Sequence, residues 1–176
     1  MYNLVTYPEE SLRMVCTECT ESDLGLIKDT HKPMVHIMRA YNGIGLAAPQ
    51  IGINKRFFLI ATNTTAPKAT KFEETLMIIN PEIVETSEEV REENEGCLSL
   101  PSFSEPIIRP IQITVKFRND KWEEVTAVFY GLEARCVLHE LDHLNGVLQL
   151  DKLSPMRQEM YKKKLRKNRK YGKVAI

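Results

Sequence analysis

Apolar residues along the chain change their spacing twice. Leu24, Ile27, His31, Met34, Met38 and Tyr41 recur every three or four positions, which predicts an amphipathic helix with Ser22 available as its N-cap. Pro33 lies inside that pattern. A proline in a helix interior loses a backbone bond and crowds the preceding turn, so a kink or a division of the helix is expected. From residue 56 the spacing gives way to β-branched and aromatic runs at 56–61, 76–80, 111–117 and 124–130, each expected to be a strand. The Asn, Thr, Pro and Lys content of 62–75 predicts a loop. Helical spacing returns between Gly131, which opens a segment, and Gly146, which supplies its stop. A last helix is expected from Met160, becoming a flexible tail by Lys173. The whole reads as an α+β fold, and no internal repeat is visible.

At 176 residues and 43% hydrophobic content, one domain can bury a sizeable core. No apolar run reaches 18 residues, so a membrane span is not expected, and the N-terminus lacks the basic-then-apolar order of a secretory signal. Formal neutrality conceals a division of charge. Residues 156–176 carry 9 Lys or Arg and 1 Glu, whereas residues 1–155 carry 15 basic and 23 acidic residues. The basic segment is either a solvated face or a contact for phosphate, and both readings stay open. Four cysteines do not make a disulfide scaffold in a chain this long. Cys16 and Cys19 have redox or zinc-knuckle spacing. However, Cys97 and Cys136, 39 residues apart, do not supply a second pair, and no strand precedes the motif, so it is read as incidental. His31 and His36 are read as partly exposed helix residues.

The strongest chemical signal is His139-Glu140-Leu-Asp-His143. On a helix, the four-residue separation puts both imidazoles on one face, one turn apart, where they can share a divalent metal. Glu140 sits beside the first ligand and can serve as a base toward a metal-bound water. A third ligand is missing from the motif. The continuation that ends in a third histidine is followed as far as Gly146 and then meets Gln149, a poor ligand for a zinc-type ion. Glu159, on the basic segment after Pro155, is a weak alternative. Upstream, Glu95-Gly96-Cys97-Leu98-Ser99 offers a thiolate, and a His2Cys set leaves one tetrahedral position open. Taken alone, a cysteine such as Cys97 is more often a small buried hydrophobe than a ligand. A third motif, Gly43-Ile44-Gly45-Leu-Ala-Ala-Pro-Gln50, offers bare backbone and a side-chain N–H donor in Gln50. A Gly-x-Gly by itself is more often a helix stop.

Together, residues 43–50, 95–99 and 139–146 resemble the peptide deformylase family in order and spacing, and the opening Val5-Thr-Tyr-Pro8 with Leu12-Arg13 extends the likeness over nearly the whole chain. The resemblance implies an α+β fold with antiparallel sheets around a central helix bearing the two histidines, an N-terminal helix and a basic C-terminal helix or tail. It makes residues 1–155 the catalytic domain and 156–176 an extension of it. It implies a hydrolase that removes the formyl group from the N-terminal formyl-methionine of nascent chains, by attack of metal-bound hydroxide on the formyl carbon. Cys97, His139 and His143 would hold the metal, Glu140 would carry the proton, and Gln50 with the Leu98 N–H would stabilise the oxyanion. Ferrous iron is the metal implied, with nickel, cobalt or zinc able to substitute; the donor set alone would suit several ions. Ile44 and Gly45 would pair with the extended peptide, with Gly96 beside it, and Ile44, Leu132, Cys136 and the His139 ring would shape the methionine pocket. For Leu132 and Cys136, simple core packing is an equal reading. Glu95 and Arg109 would pair near the site. Leu138 stands where the family commonly has Gln, and Ser104 where some relatives have Arg. Formyl-methionyl peptides are the expected partner, with ribosome contact through the basic tail and neither membrane nor DNA. An active-site thiolate calls for a reducing compartment, and a cytoplasmic location is expected. The alternatives are a metallopeptidase, and a deformylase-like protein that binds metal or peptide without turnover.

Overall fold

The computed structural model describes residues 2–62 and 74–170. Nearly all of the loop expected at 62–75, and the tail beyond residue 170, lie outside the described residues. In chain order the elements are α1 (Leu24–Ala40), β1 (Gly45–Ala47), β2 (Phe57–Ala61), β3 (Thr75–Thr86), β4 (Val90–Cys97), β5 (Leu100–Pro110), β6 (Gln112–Arg118), β7 (Glu124–Tyr130), α2 (Leu132–Leu144) and α3 (Pro155–Lys170). An antiparallel five-stranded sheet runs β1-β2-β3-β6-β7, and β4 and β5 form a separate hairpin. This is the α+β arrangement that the sequence pattern calls for. No helix among the described residues is long and apolar enough to cross a membrane.

Strand β2 shows why the sheet sits at the centre. All five of its residues are buried, and side chains alternate faces along a strand. Phe57, Leu59 and Ala61 therefore join Ile27, Met34 and Met38 of α1, whereas Phe58 and Ile60 join Ala134, Val137 and Leu144 of α2. A continuous apolar run is what burial on both faces requires. Each of its Phe, Leu and Ile side chains contributes about 1.5–3 kcal/mol when taken from water. A third cluster, Leu100, Phe103, Leu148, Leu150 and Leu153, seats Tyr161 and Leu165 of α3, so the basic helix is fastened by one apolar face.

Several local expectations are corrected. The first turn before α1 is fixed by Thr20 and Asp23 rather than by Ser22, because the Thr20 N–H donates to the Asp23 carboxylate at 2.7 Å. Helix α1 runs through Pro33 undivided, with Ile27, Met34 and Met38 buried on either side of it. That packing offsets the cost of an interior proline, about 3 kcal/mol. His31 is buried, with its Nε2 2.7 Å from the Thr75 hydroxyl, while His36 is exposed as expected. The β4–β5 hairpin was not foreseen. Val-Arg-Glu-Glu-Asn-Glu-Gly-Cys in β4 has no apolar alternation, since all its residues but Glu95 and Cys97 are exposed.

Candidate metal centre

Helix α2 packs against β1, β2, β5 and β7, and it buries residues around most of its circumference. Gly131, at φ +58, opens it where few other residues are tolerated. His139 and His143 fall one turn apart, with ring centroids 5.2 Å apart. The hairpin brings the third donor: Leu98 and Ser99 form the two-residue turn between β4 and β5, and Cys97 is the last residue before it. Cys97 Sγ lies 3.3 Å from His143 Nε2. Among the described residues, Cys97, His139 and His143 are the one His/Cys/acid group whose donor atoms converge, all within 4.8 Å of one another.

The orientation of His139 is set from behind. Its Nδ1 lies 3.2 Å from Glu95 Oε2, which leaves Nε2 for a metal. Glu95 is in turn gripped by Arg109, through Nε at 2.8 Å and Nη2 at 2.9 Å, and by Arg135 Nη1 at 2.7 Å. Arg109 also donates to Asp142 at 2.8 Å, and Arg135 to the carbonyls of Ile107 and Arg91. Burial by itself would raise the Glu95 carboxyl, but hydrogen bonds from Arg109 and His139 outweigh it and hold Glu95 below the usual carboxylate range. The Glu95–Arg109 pair is thus buried, with both residues 5% exposed.

Glu140 is treated in the opposite way. It is buried, its Oε2 has no hydrogen-bond partner among the described residues, and burial followed by the charge of Glu95 raises its pKa well above the ordinary value. Burial and then the neighbouring His139 hold His143 neutral, the form in which imidazole binds a metal. Burial, reinforced by Glu140, pushes the Cys97 thiol up, against backbone N–H groups of Ser99 and Leu100 that favour the thiolate. A cation at the centre reverses that balance, since a coordinated thiol loses its proton. One thiolate, one neutral imidazole, a second imidazole held by its far nitrogen, and an orphaned carboxylate beside them fit a divalent metal.

Cys97, His139 and Glu140 open onto a cavity of about 470 Å³. Gln50, Gly96, Leu98 and Cys136 line it, with Leu132 on its exposed rim at 45% exposure. Gln50 is fixed by accepting from the Ala47 N–H at 2.8 Å and donating to the Ser99 hydroxyl at 3.1 Å. Gly45 passes so close to α2 that a Cβ there would collide with the Glu140 carboxylate and sit 2.7 Å from Cys136 Sγ. Strand β1 is the edge of the sheet. The Ile44 carbonyl accepts from Ala61 on the β2 side, so alternation turns the N–H and C=O of Gly45 to the open side.

The structure therefore gathers Gln50, Cys97, Leu98, His139, Glu140 and His143, with Ile44, Gly45, Gly96, Leu132 and Cys136 around them. Gln149 is fully buried in a short 3-10 turn and does not line the cavity. Leu138 packs into the cluster shared by α2 and the sheet, and Ser104 is exposed on β5. The C-x-x-C pair is buried, and burial pushes the thiols of Cys16 and Cys19 up to about 11. Sequence reasoning missed Arg135, Asp142 and Ser99. Arg135 stands four residues before His139, and a cation at that spacing on a histidine-bearing face was the signal available.

A family model described as polypeptide deformylase matches residues 1–159. A peptide deformylase of Thermotoga petrophila is 40% identical over 165 residues, 94% of each chain. The crystal structure of Plasmodium falciparum peptide deformylase superposes with a TM-score of 0.85 at 31% identity, over 99% of both chains. A Met-Ala-Ser-bound peptide deformylase of Acinetobacter baumannii gives a TM-score of 0.78 at 32% identity, over 86% of this chain and 98% of that one.

Proposed function

We propose how the site works from one premise: this chain belongs to the polypeptide deformylase family. It is a metal-binding hydrolase of protein biosynthesis that removes the formyl group from nascent peptides. Cys97, His139 and His143 hold the metal, and ferrous iron is the ion proposed, with nickel, cobalt or zinc able to use the same donors. When bound, the metal supplies a Lewis acid and lowers the pKa of coordinated water. Glu140, adjacent and with its Oε2 unpartnered among the described residues, takes the proton from the attacking water and returns it to the leaving amine. Gln50 Nε2 and the Leu98 N–H donate to the oxygen of the formyl group as negative charge develops on it. The open edge at Ile44 and Gly45 takes the peptide backbone as an added strand, and Gly96 lets it approach the opposite wall. Leu132, Cys136 and the His139 ring receive the methionine side chain. The related Acinetobacter protein binds Met-Ala-Ser, a peptide that begins with methionine. Residues 1–155 carry the chemistry, and residues 156–176 extend the same domain.

The observation that carries the reading is the convergence of one thiol and two imidazoles beside a buried carboxylate, with Cys97, His139 and Glu140 on the wall of a cavity. Anaerobically prepared, iron-loaded protein should deformylate a formyl-Met peptide and leave acetyl-Met and internal-peptide counterparts intact. Silence on all three would support binding without turnover, and cleavage of the internal peptide would support a metallopeptidase. We further propose that the enzyme works in the cytoplasm and meets the ribosome through α3, whose Lys163, Lys164 and Lys167 are exposed. Changing these three lysines to Glu should weaken ribosome binding and flatten its salt dependence; unchanged binding would refute the contact.

A further inference from the structure

Three segments distant in sequence are tied into one hydrogen-bonded unit beside the cavity: the N-terminal residues 5–7, the turn bearing Gln50, and the hairpin turn at 98–99. The Val5 N–H donates to the Gln50 carbonyl at 2.7 Å, and the Tyr7 N–H to the Ser99 carbonyl at 2.8 Å. Between them, the Ser99 hydroxyl donates to the Val5 carbonyl at 2.7 Å and accepts from Gln50 Nε2 at 3.1 Å. Ser99 and Gln50 are 0% and 1% exposed, so solvent does not compete for these bonds.

Chemistry forces the sense of each bond. The Val5 carbonyl has no hydrogen to give, so the single O–H of Ser99 points at it, and the oxygen is left to accept. Only the N–H side of the Gln50 carboxamide can face that oxygen. At the other end of the carboxamide, the Ala47 N–H requires an acceptor, which fixes Oε1 there at 2.8 Å. A flipped carboxamide would set N–H against N–H at Ala47 and an acceptor against a spent hydroxyl at Ser99. Both errors would be buried. The second Nε2 hydrogen is the donor that remains, on a side chain that lines the cavity.

We propose that Ser99 is a positioning residue for the reaction: anchored by the N-terminal segment, its hydroxyl fixes the Gln50 carboxamide with one N–H presented to the developing oxyanion. The same segment holds the backbone of Ser99, one residue from the Leu98 N–H, so one strap sets both donors. The assignment deepens the reading above and rests on Gln50 being the oxyanion donor.

The test compares iron-loaded, full-length Ser99→Ala, Ser99→Cys, Gln50→Ala and the Ser99→Ala/Gln50→Ala pair on a formyl-Met peptide. Loss of a whole oxyanion donor lowers kcat about 10²–10³-fold, and misorienting one should cost Ser99→Ala about 10-fold, with KM and metal content within about twofold of wild type. Ser99→Cys keeps a weaker donor and acceptor in nearly the same volume and falls between. In the Gln50→Ala background, Ser99→Ala should remove nothing more, because the residues act as a unit. Wild-type turnover by Ser99→Ala overturns the proposal, and so do losses that multiply. If Ser99→Ala does not fold, Ser99→Cys carries the same comparison with Gln50→Ala. Normal turnover by Gln50→Ala would instead overturn the oxyanion reading beneath it.

Discussion

Glu95 and Glu140 are both buried carboxylates beside the histidines of α2, and the structure treats them oppositely. Behind His139, Glu95 meets two guanidinium groups and the imidazole, so its oxygens are fully engaged. In front, Glu140 has an orphaned oxygen, and His143 has a buried Nδ1 without a partner among the described residues. Fully compensated charge makes a scaffold, because moving any member strands another. Uncompensated charge is costly to bury, and it persists where a ligand or a transferred proton completes it. The same helix thus carries structural contacts, through Arg135, Asp142 and the far nitrogen of His139, and chemical ones, through Glu140 and His143.

The most severe way to break the comparison is on the chemical side. Cys97→Ala should abolish turnover together with stoichiometric metal, read by metal analysis of protein prepared without oxygen. Glu140→Ala should keep the metal while kcat falls about 10²–10⁴-fold, the range for a positioned general base; loss of metal in this variant would put Glu140 on the wrong side of the contrast. On the scaffold side the effect should be on stability. Glu95→Ala strands Arg109 and Arg135 and should cost about 3–5 kcal/mol in denaturant unfolding.

A pH series sharpens the distinction. Because Glu95 is held below its ordinary range in the folded state, its contribution is present above the unfolded value, about 4.3, and is lost as pH falls toward the lower folded value. Unfolding free energy should therefore fall between about pH 5 and pH 3, and Glu95→Gln should flatten that slope. An unchanged slope would mean that other carboxylates carry the acid sensitivity. The smallest expected effect concerns Leu138, which packs with the sheet rather than with the metal ligands. Leu138→Gln should cost about 1 kcal/mol of stability and leave kcat within about twofold.

Much of the fold and of the ligand set was legible in the chain before the fold was known. The His139–Glu140–His143 spacing is local, so helix geometry alone aligns the ligands. Strands β2, β6 and β7 announced themselves through β-branched and aromatic content. Strand β4 did not, because its charged residues are mostly exposed and its one deeply buried acid, Glu95, looks like its neighbours in sequence. Strand β1, three residues long, is too short for a period to register. His31 read as partly exposed because nothing near it in sequence reveals Thr75, 44 residues away.

By itself the sequence determined the helix that bears the ligands, the motifs that supply Cys97 and Gln50, and the basic character of the last segment. Those properties follow from residue type and backbone period, which act over a few residues. Tertiary structure alone decided that Glu95 is charged and Glu140 is orphaned, that Arg135 and Asp142 belong to the scaffold, and that Ser99 grips Gln50. Each of these depends on which polar groups are brought together out of water, here across separations of 14 to 49 residues, and no local pattern encodes that proximity.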